Sequence, residues 1–278
     1  MNRLDQHRID QHRLDLVRTV AAADALGAPY ELGLHPGREL PLDTFAPGGE
    51  RPRVRILGGE ADYGTWTDDT QIVLMVLDAL RRSPEDPVPA YRENLLAWRN
   101  GAFTAQGQRL DVGNQTSHAI SRIARGEQVE PSTSSGNACL MVAIAVHASG
   151  AGAEHLEALV RTTHNGDKAA ADASELFGIL SAAGAGAPVP PVDPALFAQT
   201  PPSGFSEHTL IHARQRFHEA ASFTEGIAAI NAAGEDTDSI AAVFGALCAV
   251  AGGEAMAAPR GLLDELVGQE LLERAARE

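Results

Sequence analysis

Two short segments of the chain combine carboxylate and hydroxyl side chains at the start of an apolar helix. The first is WTDDTQ at residues 66–71, before IVLMVLDAL, and the second is EDTDS at residues 235–239, before IAAVFGALCAVAGG. Capping alone would explain either segment, because aspartate and threonine are common helix caps and acids favour the positive end of the helix dipole. The helix after the second segment is apolar on every side, however, which predicts that it is buried. Its first turn would hold Asp236 and Asp238 in the interior, where two carboxylates are costly without a compensating cation.

These side chains suit a hard divalent cation. Aspartate, threonine and serine oxygens fit Mg²⁺, Mn²⁺ or Ca²⁺, whereas a zinc site would use histidine or cysteine. If the two segments meet in the fold, they could hold two metal ions that share a water molecule, which is a known arrangement for hydrolysis. The opposite interpretation stays open at this point: an α-helical scaffold whose acids are caps only.

The elements that must position these residues are helices. Apolar side chains recur with helical spacing from Leu14 to a stop at Gly27, and no segment alternates apolar and polar residues strictly enough to indicate a strand, so the sequence predicts an all-α fold. Residues 33–65 and 188–202 are rich in glycine or proline and are expected to be connecting loops. Further helices are predicted over residues 67–82, 89–101, 113–125, 136–149, 153–164, 167–182, 206–232, 237–251 and 261–276.

No linker divides the sequence, so we expect a single domain over residues 14–278. Residues 1–13 contain the repeat RLDQH, RIDQH, RLD and are expected to form a disordered or frayed helical extension. The chain is rich in alanine, and only 5% of its residues are aromatic. This composition predicts a core of closely approaching helices rather than of large rings.

The net charge limits the partners. Lysine and arginine total 22 against 37 aspartates and glutamates, which gives −15. This balance argues against general nucleic-acid binding and against an anionic membrane, since both are polyanions. The two cysteines lie in apolar helical segments, which indicates a reducing compartment rather than a disulfide scaffold. No apolar run reaches the roughly 18–20 residues of a membrane span, and the charged N-terminus is unlike a signal peptide, so we expect a cytoplasmic location.

The order of its motifs makes the chain resemble the ADP-ribosylglycohydrolase family, which includes the dinitrogenase-reductase-activating glycohydrolases. The WTDDTQ and DTDS pair is the specific part of this resemblance. The matching blocks are ADALGAPYE at 23–31, WTDDTQ at 66–71, LDVGN at 110–114, SGNACLM at 135–141, Thr163 with His164, and EDTDSIAAVFGAL at 235–247.

The resemblance implies a compact orthogonal helical bundle with two divalent cations, Mg²⁺ or Mn²⁺, in a cleft. It implies hydrolysis of the bond between the ribose anomeric carbon and an acceptor, with release of ADP-ribose. The expected substrate is an ADP-ribosylated protein side chain, with arginine favoured. The implied metal ligands are Thr67, Asp68, Asp69, Asp236, Asp238 and Ser239.

The resemblance also assigns the residues that would act on the substrate. Glu31 matches an acid near the metals and Asp111 matches the aspartate that approaches the ribose, so these two are the implied catalytic residues, each able to act as general base or to protonate the leaving group. The turn at 134–137 would offer backbone N–H groups to the pyrophosphate, although it is equally typical of an ordinary helix cap. The implied substrate-binding residues are Gly113, Asn114, Ser135, Gly136, Asn137 and His164.

Several positions depart from the family pattern. Glycine is usual at Ala23, Ala138 and Glu235, and arginine is usual at Val142, so one candidate contact to an anion is missing. The metal set is intact, and Ser239 keeps the hydroxyl of a common threonine. These changes keep a second hypothesis open: a non-catalytic ADP-ribose-binding or structural member of the same fold.

Two other signals are set aside. His208 and His212 are four residues apart on a predicted helix, but they lack the glutamate of an HExxH motif and are predicted to lie on a solvent-exposed face. Cys139 and Cys248 are predicted to be small core residues.

Overall fold

The first helix, α1, runs from Arg3 to Gly27 and begins well before the apolar periodicity. This computed structural model describes the backbone of residues 3–277 and the side chains of residues 10–277; residues 1, 2 and 278 lie outside the described residues. Within the segment expected to fray, residues 3–13 continue α1 without a break. Arg13 fixes this end, because its guanidinium donates to the backbone oxygens of Ala148, Ser149 and Ala276.

The all-α prediction is confirmed, since helices make up 61% of the chain. Most helices begin and end within a few residues of their predicted bounds. The helices after α1 are α2 Asp68–Arg82, α3 Pro87–Trp98, α4 Asn114–Ala124, α5 Ala138–Ser149, α6 Leu156–Arg161, α7 Asp167–Gly184, α8 Pro194–Gln199, α9 Ser206–Glu219, α10 Phe223–Ala233, α11 Thr237–Ala251, α12 Arg260–Asp264 and α13 Gln269–Ala276.

Two predicted helices are each divided in the structure. The segment 206–232 forms α9 and α10, because the Ser222 hydroxyl accepts from the Glu225 N–H and caps a new helix there. The segment 261–276 forms α12 and α13, which are separated at Gly268, whose φ is +76°. The second connector also holds the short helix α8, where the Ala195 N–H donates to the Asp193 side chain.

The prediction that the chain has no strand was wrong. Residues Arg53–Ile56 form β1 and residues Gly59–Asp62 form β2, which pair antiparallel with Arg53 opposite Asp62. In β1 the two aliphatic side chains are buried and the two arginines are not. The alternation spans only four residues, and the surrounding segment is rich in glycine and proline, so the sequence pattern predicts a loop there.

The centre of the molecule is the crossing of α1 and α11. Helix α11 is buried on all sides from Thr237 to Cys248, as its composition predicted. Small residues allow the close approach. A Cβ atom at Gly27 would lie 2.6 Å from the Asp238 Cα, and one at Gly245 would lie 2.8 Å from the Ala23 Cβ. The expected packing of closely approaching helices is therefore present.

Buried apolar side chains form a hydrophobic cluster that extends along the chain from Leu16 to Leu272. Cys139 and Cys248 are unpaired and buried within it, so their prediction as core residues is confirmed.

The prediction that His212 lies on a solvent-exposed face was wrong. His212 is buried, and its Nε2 lies 2.8 Å from the Thr200 carbonyl oxygen. Over residues 3–277, no helix has both the length and the apolar character that a bilayer crossing requires.

Candidate active site

The two acidic segments meet where α2 and α11 begin. Thr67 is the N-cap of α2, and its Oγ1 donates to Asp238 Oδ2 on α11 over 3.2 Å. The Asp69 carboxylate lies beside the Ser239 hydroxyl of the same helix. Asp68, Asp69 and Asp238 are all buried. The first turns of these two buried helices therefore bring carboxylate and hydroxyl oxygens together, which is the arrangement that a shared metal site would require.

Glu31 reaches this cluster from the turn that follows α1. Its carboxylate, that of Asp111 and that of Asp238 each offer an oxygen, and these oxygens lie within 4.8 Å of one another. The turn is held by the next residue: Leu32 has a φ of +45°, and its N–H donates to the Glu235 carbonyl oxygen over 2.7 Å. The backbone thus fastens the Glu31 turn directly to the segment that begins α11.

Asp111 is positioned by the hairpin that the sequence did not predict. Its N–H donates over 2.9 Å to the carbonyl oxygen of Leu57, in the turn between β1 and β2. Its φ is +50°, a left-handed conformation that is uncommon for a residue other than glycine. The hairpin therefore has a role at the site, since it holds a strained residue with its carboxylate beside Glu31.

Asp24 on α1 is a buried site residue that sequence reasoning quoted in a motif but gave no role. Its carboxylate accepts from the Thr67 N–H, the Thr70 N–H and the Thr70 hydroxyl, at 2.6–3.1 Å. It therefore supplies part of the N-terminal cap of α2 from a neighbouring helix. No local capping pattern could reveal this role, because Asp24 is more than forty residues from the start of α2 in the sequence.

The electrostatics of the cluster are strongly unfavourable without a cation. Burial raises the pKa of Asp68, Asp69 and Asp238 well above the usual range, and neighbouring carboxylates raise it further. Burial and then the charge of Asp111 raise the pKa of Glu31 to about 11, and burial raises the pKa of Asp236 to about 6.

The donor set fits a hard metal centre. In the described part of the chain, no arginine, lysine or histidine forms an ion pair with any of these carboxylates. Asp69 Oδ2 and Glu31 Oε2 are buried and have no hydrogen-bond partner. Buried carboxylates are compensated by a cation or by protonation, and an all-oxygen set of this kind suits Mg²⁺, Mn²⁺ or Ca²⁺.

The residues expected to bind substrate lie around this cluster. The Gly113 N–H donates to Asp68 Oδ2 over 3.3 Å, and Asn114 is exposed at the start of α4. Asn137 Nδ2 donates to Asp236 Oδ1 and to Thr209 Oγ1, each over 3.1 Å. The Gly-Asn segments are thus bonded to the same carboxylates that would hold a metal.

His164 is buried and lies against the turn at Gly136. Burial lowers its pKa to about 4, so the ring is neutral near pH 7. Its Nδ1 lies 2.9 Å from the Thr163 hydroxyl. Its Nε2 would be 3.0 Å from a Cβ atom at Gly136, and Gln115 Oε1 would be 3.2 Å from that atom. Any side chain at this position would therefore press against the imidazole and against Gln115.

The turn at 134–137 offers fewer free backbone donors than its sequence indicates. The Gly136 N–H donates to Gln115 Oε1 over 3.2 Å, and the Asn137 N–H donates to the Gly204 carbonyl oxygen over 3.0 Å. The Ser135 hydroxyl contacts the Ser206 hydroxyl. These contacts make Gln115 and Ser206 parts of the site that sequence reasoning missed, since neither lies in a motif.

Comparison with known proteins agrees with this geometry. A family model described as ADP-ribosylglycohydrolase matches residues 16–199, which is more than half of the chain. The ADP-ribosylarginine hydrolase Tri1 of Serratia proteamaculans (strain 568) is 28% identical over 128 residues, which are 44% of this chain. That match covers 32% of the relative, so the chain spans about a third of its length.

A solved structure described as an ADP-ribosylglycohydrolase-related protein complex has the same fold. It superposes with a TM-score of 0.67 at 26% sequence identity, and the superposition covers 96% of each chain. The matched residues include both Glu31 and the first acidic segment. The resemblance that the motifs indicated is thereby confirmed: this chain belongs to the ADP-ribosylglycohydrolase family.

Proposed function

We propose that the protein uses two divalent cations, Mg²⁺ or Mn²⁺, to hydrolyse the bond between ADP-ribose and an arginine side chain of a protein. The observation that carries the proposal is the cluster of buried carboxylates at the starts of α2 and α11, which forms no ion pair with a basic side chain of residues 10–277. Thr67, Asp68 and Asp69 on one helix and Asp236, Asp238 and Ser239 on the other would hold the cations. When bound, such cations orient ribose hydroxyls and lower the pKa of a water molecule.

The remaining carboxyls suit the proton transfers of this reaction. Hydrolysis at the anomeric carbon requires that a water loses a proton and that the departing acceptor gains one. Glu31 and Asp111 are neighbours in the group whose oxygens lie within 4.8 Å of one another, and their side chains are hydrogen-bonded to each other. One of them can receive the proton of the water, while the other can donate a proton to the departing acceptor.

Neutral donors suit the diphosphate end of the substrate. If the Thr163 hydroxyl donates to His164 Nδ1, the Nε2 carries the hydrogen and lies beside Gly136. A neutral N–H donor can bind a phosphate oxygen without placing a positive charge next to the metal ligands. The buried Val142 supplies no charge on this side, so binding would depend on such donors.

An arginine acceptor is supported by the charge at the rim of the site. Glu235 is exposed immediately before the metal segment, where it would attract a guanidinium group. Loop residues from 33–52 line a cavity of about 930 Å³ together with Tyr30 and Gly234, the neighbours of Glu31 and Glu235. The relative named ADP-ribosylarginine hydrolase gives independent support.

The test is a panel of defined conjugates of ADP-ribose with arginine, serine and a nucleic-acid end, assayed with Mg²⁺ and with Mn²⁺. We expect metal-dependent release of ADP-ribose, fastest from the arginine conjugate, and no release by Asp238→Asn. Release from serine alone would overturn the arginine acceptor. Binding of ADP-ribose by calorimetry without turnover of any conjugate would overturn catalysis and favour a binding protein.

A further inference from the structure

A line of hydrogen bonds leads from the protein surface to the turn at 134–137. The line starts at Lys168, the one lysine in the chain, whose Nζ donates to Asp172 Oδ1 over 2.5 Å. Asp172 Oδ2 accepts from the Ser206 hydroxyl over 2.6 Å, and Ser206 in turn contacts the Ser135 hydroxyl. Asp172 is 4% exposed, and Ser135 and Ser206 are also buried.

The chemistry of the four groups fixes the direction of each hydrogen bond. A serine hydroxyl has one hydrogen to donate, and Ser206 uses it toward the Asp172 carboxylate. The contact between the two serines is therefore a donation from Ser135 to Ser206. The hydrogen of Ser135 points into the protein, where it anchors the turn and is not offered to a ligand.

Backbone hydrogen bonds also connect the turn at 134–137 with residues 204–206 at the start of α9. The Ser206 N–H donates to the Ser135 carbonyl oxygen over 2.9 Å, and the Asn137 N–H donates to the carbonyl oxygen of Gly204 over 3.0 Å. The Asn137 side chain then donates to Asp236, one of the acids at the start of α11. The position of the turn therefore depends on Ser206, and Ser206 depends on Asp172.

We propose that Asp172, held in place by Lys168, is a positioning residue that fixes the turn at 134–137 against the substrate. Ser135 is the point of attachment, and it acts through the backbone that it holds. Because a displaced turn weakens binding of substrate and transition state alike, loss of this line raises KM and leaves kcat nearly unchanged. The inference about substrate affinity rests on the proposed function.

The chain offers a matched control on the same two helices. Glu175 on α7 forms an ion pair with Arg214 on α9 at 2.9 Å, but this pair does not reach the turn. We therefore compare Lys168→Met and Asp172→Asn with Glu175→Gln. Lys168→Arg keeps the positive charge and serves as the rescue variant.

We expect Lys168→Met and Asp172→Asn to raise KM about tenfold, because each leaves a buried hydrogen-bonding group without its partner. In both variants kcat should stay within about twofold of the wild type. Glu175→Gln and Lys168→Arg should keep the wild-type KM. A role in stability alone would lower the folded fraction, and with it the apparent kcat, at unchanged KM; that result would overturn the proposal.

Hydrogen exchange of the protein without substrate gives a readout that does not depend on activity. Amides of residues 132–140 should exchange faster in Lys168→Met than in the wild type and Glu175→Gln. Unchanged exchange in this segment would overturn the positioning role even if the wild type is active. If the wild type releases no ADP-ribose, the proposed function fails, and the exchange data still decide whether Lys168 holds the turn. Lys168 also forms an ion pair with Glu207 at 3.3 Å, so Glu207→Gln is the control for Lys168→Met if Asp172→Asn does not fold: faster exchange in Lys168→Met alone supports the proposal, and equal exchange in both variants overturns it.

Discussion

Gly136 packs so closely against His164 and Gln115 that one added methyl group should affect this part of the site. Gly136 has no side chain, and a methyl group there would lie 3.0 Å from His164 Nε2 and 3.2 Å from Gln115 Oε1. We expect Gly136→Ala to weaken ADP-ribose binding about tenfold, since the methyl group fills the space that a phosphate oxygen would use. Calorimetry with ADP-ribose in the presence of Mg²⁺ measures this loss.

The control for this variant is a glycine in open space. A Cβ atom at Gly178, exposed in the middle of α7, would meet no heavy atom within 4 Å. Gly178→Ala should leave the affinity unchanged and stabilise the protein by about 0.5–1 kcal/mol, because alanine favours the helix. Equal affinity in Gly136→Ala and Gly178→Ala would show that the substrate does not approach this turn.

The buried imidazole of His164 should also appear in the pH dependence of stability. Burial lowers its pKa to about 4 in the folded protein, whereas an unfolded chain binds the proton near pH 6.5. Between these values the unfolded state binds more protons, so stability falls as the pH falls. From pH 7.5 to pH 4, the wild type should lose about 3 kcal/mol more than His164→Gln.

Urea unfolding at several pH values measures this difference, with the exposed His118→Gln as the control variant. The comparison between variants matters because the site carboxyls also titrate and act in the opposite direction. Identical pH profiles for the wild type and His164→Gln would mean that the imidazole is solvated.

The sequence indicated candidate site residues, but it did not indicate which distant residues hold them in position. Asp68, Asp69 and Asp238 were predicted as site residues because they stand in acidic helix starts that lead into apolar helices. The contacts of Asp24 and Asp172 were not predicted, because each accepts hydrogen bonds from a segment more than thirty residues away. A partner at that separation is set by tertiary packing and leaves no mark in local spacing.

At the scale of elements, the crossing of α1 and α11 connects packing to the site. Gly27 at the end of α1 packs against the first turn of α11. Gly245, two turns further along α11, packs against Ala23 of α1. An added methyl group at either position overpacks the crossing and should cost about 1–3 kcal/mol of unfolding free energy. Only Gly27→Ala should also weaken metal binding, because its methyl group displaces the backbone of Asp238.

Thermal melting with and without Mn²⁺ separates the two effects. Gly245→Ala should melt lower than the wild type but gain as much from the metal as the wild type does. Gly27→Ala should melt lower and gain less. An equal gain in both variants would place the metal away from the first turn of α11.

The elements show where sequence patterns fail. The helices were predicted because their periodicity extends over ten or more residues, and the break at Ser222 was missed because the cap interrupts an otherwise continuous helical pattern. The hairpin was missed because each strand has four residues. Yet the turn of this hairpin accepts the Asp111 N–H, so two strands of only four residues each help to position a site residue.

At the scale of the whole molecule, the acidic composition has a structural counterpart. Part of the net charge of −15 is concentrated in one buried cluster that joins α1, α2 and α11. Such a cluster repels itself in the metal-free protein and binds cations that the unfolded chain does not hold in the same geometry. We therefore expect cation binding at this cluster to add to the stability of the fold.

Replacing one of these acids by its neutral isostere should change stability with opposite signs in the two states. With a chelator at pH 7.5, Asp238→Asn should melt higher than the wild type, because burial and neighbouring acids disfavour the charged form of Asp238. The gain should be about 1 kcal/mol or more. The wild type should gain about 5–10 °C at a Mg²⁺ or Mn²⁺ concentration one hundred times the dissociation constant, and Asp238→Asn should lose most of this gain.

Glu85→Gln, at an exposed position between α2 and α3, makes the same change in net charge away from the cluster. It should melt like the wild type in both conditions, which separates a local effect from a general effect of charge. If Asp238→Asn keeps the full metal-induced rise, Asp238 is not a ligand. If it melts lower than the wild type in chelator, its hydrogen bonds to Thr67 and Ser239 outweigh the repulsion, and these acids act chiefly as caps.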